Sequence, residues 1–175
     1  MDVAAQVFGI LAFIVSVVSY QMKTYRQILW AQLLCVTLFV VHFLMLAQCG
    51  QADAMTGAAL NGVSAVRDII LLCTEKKRSR KLTTILAIGF SVVVVAIGIL
   101  TWNSWVSLLF IIAMVFNTVA LSIPDPNTVR VLIMVSAPFA CAYDVLNRSI
   151  GGTVNEVVSF LSALTAYIRY RRSPG

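Results

Sequence analysis

A few polar side chains sit inside long apolar runs, and these are the groups that could do chemistry. His42 is the only histidine; its ring can carry a proton near neutrality or, when neutral, bond a neighbouring helix. Asn61 offers an amide with donors and acceptors suited to a hydroxylated or heterocyclic ligand. Glu156 brings a carboxylate shortly after Gly151-Gly152. It either complements a helix N-terminus or acts as a ligand or proton site. Tyr143, Ser64, Ser159 and Ser162 add hydroxyls, although serines in such runs also pack helices closely or bond across them. Polar groups at membrane depth are costly, so they face a cavity or another helix.

Helical spacing decides which of these can share a face. Gln6, Gly9, Phe13, Ser16 and Tyr20 form one stripe, and Gln32, Cys35, Phe39 and His42 a second. Asn61, Ser64 and Asp68 make a third, Ser136, Ala140, Tyr143 and Asn147 a fourth, and Glu156, Ser159 and Ala163 a fifth, with Ser162 nearby. Stripes meeting at a central cavity would make Asn61, His42, Tyr143, Ser64, Ser159, Ser162 and Glu156 the candidate solute-binding residues. Arg67 and Asp68 fall near the end of their run. There Arg67 is expected to snorkel to lipid phosphates, and pairing between adjacent positions is geometrically poor. Nothing here forms a nucleophile with its base, a convergent carboxylate pair or a metal-ligand set, so no enzyme and no cofactor are expected. Cys35, Cys49, Cys73 and Cys141 lack CxxC spacing and read as small hydrophobes, not as a disulfide or metal framework.

The elements that position these residues follow from composition. Of 175 residues, 60% are hydrophobic and 11% charged, against about 25% charged in a soluble domain. So little charge cannot cover a water-facing surface, and the apolar runs approach the ~20 residues that cross ~30 Å of hydrocarbon. The runs are Val3–Tyr20, Ile28–Leu46, Ala54–Cys73, Leu82–Leu100, Trp105–Ile123, Val129–Leu146 and Thr153–Tyr170. Each reads as a helix, because a lone span must satisfy its backbone internally and barrel strands would alternate. The first run lacks the basic flank and cleavage site of a signal peptide and is expected to be retained. Trp102 and Trp105 read as interface anchors. The net charge of +6 lies between and after the apolar runs, where topology signals belong, so no nucleic acid is expected as a partner.

Seven spans place twelve of the thirteen Lys and Arg residues on one side and Arg148 alone on the other. The positive side is cytoplasmic, which puts the N-terminus outside and the C-terminus inside. The chain also looks duplicated at a spacing of about 101, where His42 falls opposite Tyr143 and Asn61 opposite Ser162. A unit of three spans cannot repeat in parallel unless one more crossing intervenes, and the weakly polar run Leu82–Leu100 can supply it. The expected architecture is all-α. Two parallel three-helix bundles, residues 1–73 and 102–175, are joined by a basic loop and linker helix over residues 74–101 (3+1+3). Such repeats bind solute near the midplane between the halves.

This plan resembles the SWEET sugar facilitators and PnuC vitamin transporters. Local strings resemble the YgjV-type family of bacterial inner-membrane proteins. These are Gln6-x-x-Gly9, His42-Phe43-Leu44, Leu60-Asn61 with Arg67, and Ser149-Ile150-Gly151-Gly152-Thr153 with Glu156, closing on Ile168-Arg169. The resemblance implies a multi-pass protein of the inner (plasma) membrane. Its partners would be the lipid bilayer and a small polar, uncharged solute such as a sugar or vitamin-like compound, with a non-transporting scaffold, receptor or accessory protein as the alternative. SWEET-type proteins carry prolines on the first two helices of each bundle. Only Pro138 stands at such a place here, as the hinge candidate, with Thr37 at the corresponding position of the second span. The proline–glutamine motif is absent, and Ala163 stands where the family-like asparagine is expected.

Overall fold

A computed structural model describes residues 3–48, 54–75, 79–100, 105–146 and 150–172. These residues form seven α-helices and no strand: α1 Val3–Ser19, α2 Tyr25–Gln48, α3 Ala54–Thr74, α4 Arg80–Leu100, α5 Val106–Ser122, α6 Pro126–Leu146 and α7 Ile150–Arg172. Cys49, Lys76, Lys77, Arg78, Trp102, Asn147 and Arg148 lie outside the described residues, as does the side chain of Gln6.

Four helices, α2, α4, α6 and α7, start earlier than their apolar runs, and capping side chains set the start of the first three. Thr24 and Gln27 form a capping box: each backbone N–H donates to the other's side-chain oxygen at 3.3 Å. α2 therefore begins at Tyr25, not at Ile28. Ser79 Oγ accepts the amide of Leu82 at 3.2 Å, which starts α4 at Arg80. Asp125 Oδ2 accepts the amide of Thr128 at 2.8 Å, and Pro126 takes the first helical position, where its missing N–H is not needed. α6 then runs unbroken through Pro138.

Consecutive helices alternate in direction, as the cross-contacts show. Along α2, Gln32 reaches Ser19, Cys35 reaches the carbonyl of Ala12 and His42 reaches that of Ala5. Phe110 against Tyr143 and Phe116 against Phe139 give the same antiparallel register to α5 and α6. α1, α2 and α3 pack in order, as do α5, α6 and α7, while α4 lies mainly on α5. α1 meets α7 with both ascending together: Ser162 bonds Val17, and Gln21 bonds Ser162 and Thr165. The hydrophobic core gathers at the end where α1 turns into α2 and α5 into α6, with Tyr20, Ile28 and Leu29 against Leu121, Val129 and Ala163.

The distribution of polarity is inverted relative to a water-soluble protein. Ser16, Gln32, Ser64, Arg67, Asp68 and Arg130 are buried, while Ile10, Ile14, Ile85, Ile88, Val92 and Leu100 are exposed. Two helical stretches, Tyr25–Met45 in α2 and Arg80–Leu100, are long and apolar enough by themselves to cross a membrane. Val7–Ser19 and Leu108–Ser122 are shorter apolar stretches. α4 is apolar along most of its length because it has little interior face to make polar. α3, α6 and α7 carry amides, hydroxyls and charges that lower their average hydropathy, whereas α1 and α5 are apolar but shorter.

Candidate functional site

A cavity of about 700 Å³ lies among α1, α2, α3, α5, α6 and α7, and α4 contributes nothing to its wall. Its floor is the packed core at the α1–α2 end. Away from the floor, wall residues such as Phe13, His42, Phe43 and Phe110 are partly exposed. His42 Nδ1 lies 2.6 Å from the carbonyl oxygen of Ala5. Only a protonated Nδ1 can bond there, so the neutral ring keeps Nε2 as an acceptor. The close fit depends on Gly9, since a Cβ there would stand 3.0 Å from His42 Cε1. Phe39 and Phe43 meet the imidazole edge-on.

Asn61 and Ser64 of α3 line the same cavity, as do Asn155, Glu156 and Ser159 of α7. Glu156 is not in the first turn of its helix, which opens at Ile150, so the helix dipole does not account for it. Six residues before Ser162, it lies about 9 Å nearer the start of α7 than the Ser162–Val17 contact. Asn155 Nδ2 donates to Glu156 Oε1 at 3.1 Å. Asn155 Oδ1 and Ser159 Oγ are buried and find no hydrogen-bond partner among the described residues.

The remaining candidates lie elsewhere. Tyr143 is off the wall and stacks behind Phe110, 4.9 Å between centroids. Ser162 is spent between helices, donating to the Val17 carbonyl at 2.6 Å and accepting from Gln21 Nε2 at 2.9 Å. Pro138 is exposed and away from the cavity. Arg67 does not snorkel. It is buried, lines the cavity and donates from Nε to Asp68 Oδ1 at 2.9 Å. Adjacent side chains diverge on a helix, so the pair makes a single bond, and among the described residues Asp68 Oδ2 has no partner. Arg67 Nη1 crosses to α5, 3.1 Å from Thr118 Oγ1 and 3.5 Å from Asn117 Oδ1.

Asn117 and Asn155 also belong to the wall and were not singled out from the sequence. The signal for Asn117 was there, as an amide inside an otherwise apolar run. Asn155 was overshadowed by its neighbour Glu156. Cys35 is buried on the wall, Cys73 is exposed and Cys141 is intermediate, all as free thiols.

A clamp below the cavity ties the α1–α2 turn to the second set of helices. Arg130 donates from Nε to the Tyr20 carbonyl at 3.1 Å, from Nη2 to that of Met22 at 2.5 Å and from Nη1 to Asn127 Oδ1 at 2.9 Å. Its guanidinium carbon sits 4.7 Å from the centroid of the Tyr170 ring, and the Tyr170 hydroxyl donates to the Gln21 carbonyl at 3.0 Å. Tyr25 donates its hydroxyl to the Leu121 carbonyl. Beside the clamp, burial pushes the Asp125 carboxyl up. Hydrogen bonds from the Thr128 hydroxyl and amide and the Asn127 amide, with the Arg130 charge, outweigh it and hold the carboxyl below its ordinary value.

A family model described as bacterial inner membrane protein, Imp-YgjV, matches residues 3–174. No curated protein and no solved structure matches the chain significantly.

Proposed function

The chain belongs to the Imp-YgjV family of bacterial inner membrane proteins, and from that premise we propose that it is a carrier for a small polar solute. The observation that carries this reading is the cavity shared by α1–α3 and α5–α7, with the unpartnered Ser159 Oγ and Asn155 Oδ1 at its wall. Unpaired buried groups cost about 1–3 kcal/mol each, which a hydrogen-bonding solute would offset. Solute sites between repeats near the membrane midplane are a recurrent carrier architecture.

The reading includes seven crossings with the N-terminus outside and the C-terminus cytoplasmic. The two halves are parallel three-helix bundles linked by α4, as in SWEET-type proteins. The parallel ascent of α1 and α7 supports it, and so does the twelve-to-one division of basic residues by span counting. In this orientation the Arg130 clamp closes the cytoplasmic side, and the cavity faces outward.

The test is uptake by proteoliposomes offered labelled sugars, nucleosides, vitamins and small organic acids. Saturable uptake of at least one solute is expected, weakened by Ser159→Val. Absence of both flux and binding across the panel would instead favour a scaffold or accessory role.

A further inference from the structure

The two buried arginines at the helix interfaces are used differently. Arg130 spends all three guanidinium nitrogens on protein oxygens and lies over an aromatic ring. It is a structural clamp. Arg67 is equally buried, but it lines the cavity and bonds the protein through Nε and Nη1 alone; among the described residues no protein atom accepts from Nη2. Its carboxylate neighbour does not consume it, since Asp68 is held by one oxygen and cannot form the two-point fork that saturates a guanidinium. A buried charge costs several kcal/mol, and neutral groups could tie α3 to α5 at lower cost. A charged residue kept at such depth, with donors left over at a cavity wall, points to a ligand.

The surroundings restrict that ligand. Phe13, Phe39, Phe43 and Phe110 are on the same wall. Phe110 is seven residues before Asn117, the α5 partner of Arg67, and so stands about 10 Å along the helix from the guanidinium. The cavity thus offers a cationic donor near one end and ring faces towards the other.

We propose that Arg67 is the anion-recognition residue of the cavity and that the solute is a small organic anion bearing a planar ring. The anionic group sits on the guanidinium nitrogen Nη2 and the ring among the phenylalanines. Asp68 positions the guanidinium and competes for it. This rests on the carrier reading and replaces the uncharged solute expected from sequence, where Arg67 was assigned to lipid phosphates.

The test uses the purified full-length chain and two matched pairs of probes, benzoate with benzamide and benzenesulfonate with benzenesulfonamide. Binding is read by calorimetry and thermal shift, alongside a neutral sugar and nucleoside panel. The acids are expected to bind at least about tenfold more tightly than the amides, the discrimination that one charge-assisted hydrogen bond supplies. Arg67→Gln removes that preference by weakening the acids much more than the amides, Arg67→Lys keeps part of it, and Asp68→Asn strengthens acid binding. A variant that serves only to hold the fold would shift acids and amides together. Equal binding within each pair, an unchanged acid preference in Arg67→Gln, or binding of neutral panel members alone overturns the inference and leaves the carrier reading standing. Absence of binding by every probe and panel member overturns both.

Discussion

The guanidinium of Arg130 reaches from the second turn of α6 to the carbonyl oxygen of Tyr20, just past the end of α1. Tyr20 and Arg130 thereby join α1 to α6 below the cavity floor. Replacing Arg130 with Gln removes charge-assisted bonds worth about 1.5–3 kcal/mol each. The floor should then open at least about tenfold more often. The readout is the native Cys35 thiol, which is buried on the cavity wall, in a chain whose other cysteines are replaced by serine. A membrane-impermeant maleimide applied to inverted vesicles should label Cys35 slowly in the parent and faster in Arg130→Gln. Equal rates would mean that the clamp does not gate the cavity.

Gly9 and His42 form a coupled pair. Gly→Ala in a helix normally gains about 0.5–1 kcal/mol, but here the new Cβ meets the imidazole at 3.0 Å and its Nδ1 at 3.1 Å. The ring must shift and loosen its bond to Ala5. Gly9→Ala is therefore expected to be neutral or destabilising alone and stabilising by about 0.5–1 kcal/mol in a His42→Ala background. Thermal melting of the four proteins measures the coupling, and additive effects would contradict the contact.

Gly98 of α4 packs tightly against Ile111 of α5. A Cβ there would lie 2.5 Å from Ile111 Cγ1 and 2.7 Å from its Cδ1. Gly98→Ala should cost about 1–3 kcal/mol by overpacking. Ile111→Ala in the same chain should recover much of the loss, as judged by melting temperature.

Asp125 caps α6 with a carboxyl whose pKa is depressed by its hydrogen bonds and the nearby cation. Its contribution is fully present above the unfolded carboxyl's ordinary value of about 3.9 and fades as pH falls through the lower folded value. Melting temperature should therefore drop in that acid range, and Asp125→Asn should flatten this part of the profile. Asparagine caps nearly as well, so the loss at neutral pH is small. An unchanged acid profile in the variant would exclude Asp125 as its source.

The helices could be placed from sequence because long apolar runs and polar punctuation are strong signals. Their starts could not be placed from hydropathy alone, since Thr24, Ser79 and Asp125 act through hydrogen bonds to the first turn. Stripe periodicity identified inward faces, and His42, Asn61, Ser64, Glu156 and Ser159 do share one wall. Periodicity cannot tell a cavity from a neighbouring helix. Ser162 meets α1 for that reason, and Tyr143 hides behind Phe110. Arg67 was misplaced because proximity to the end of a run suggested lipid phosphate, whereas its partners are the adjacent Asp68 and, fifty-one residues away on α5, Thr118.

The three capped starts have a bearing on how the chain is made. Because neighbouring helices alternate in direction, α2, α4 and α6 all begin at the same end of the molecule. Synthesis proceeds from the N-terminus, so each of these helices can fix its first turn while the rest of its apolar stretch is still being added. Its leading amides are then already satisfied before lipid could leave them unpaired. The caps thus act as starting blocks for insertion as much as trim on the finished helices.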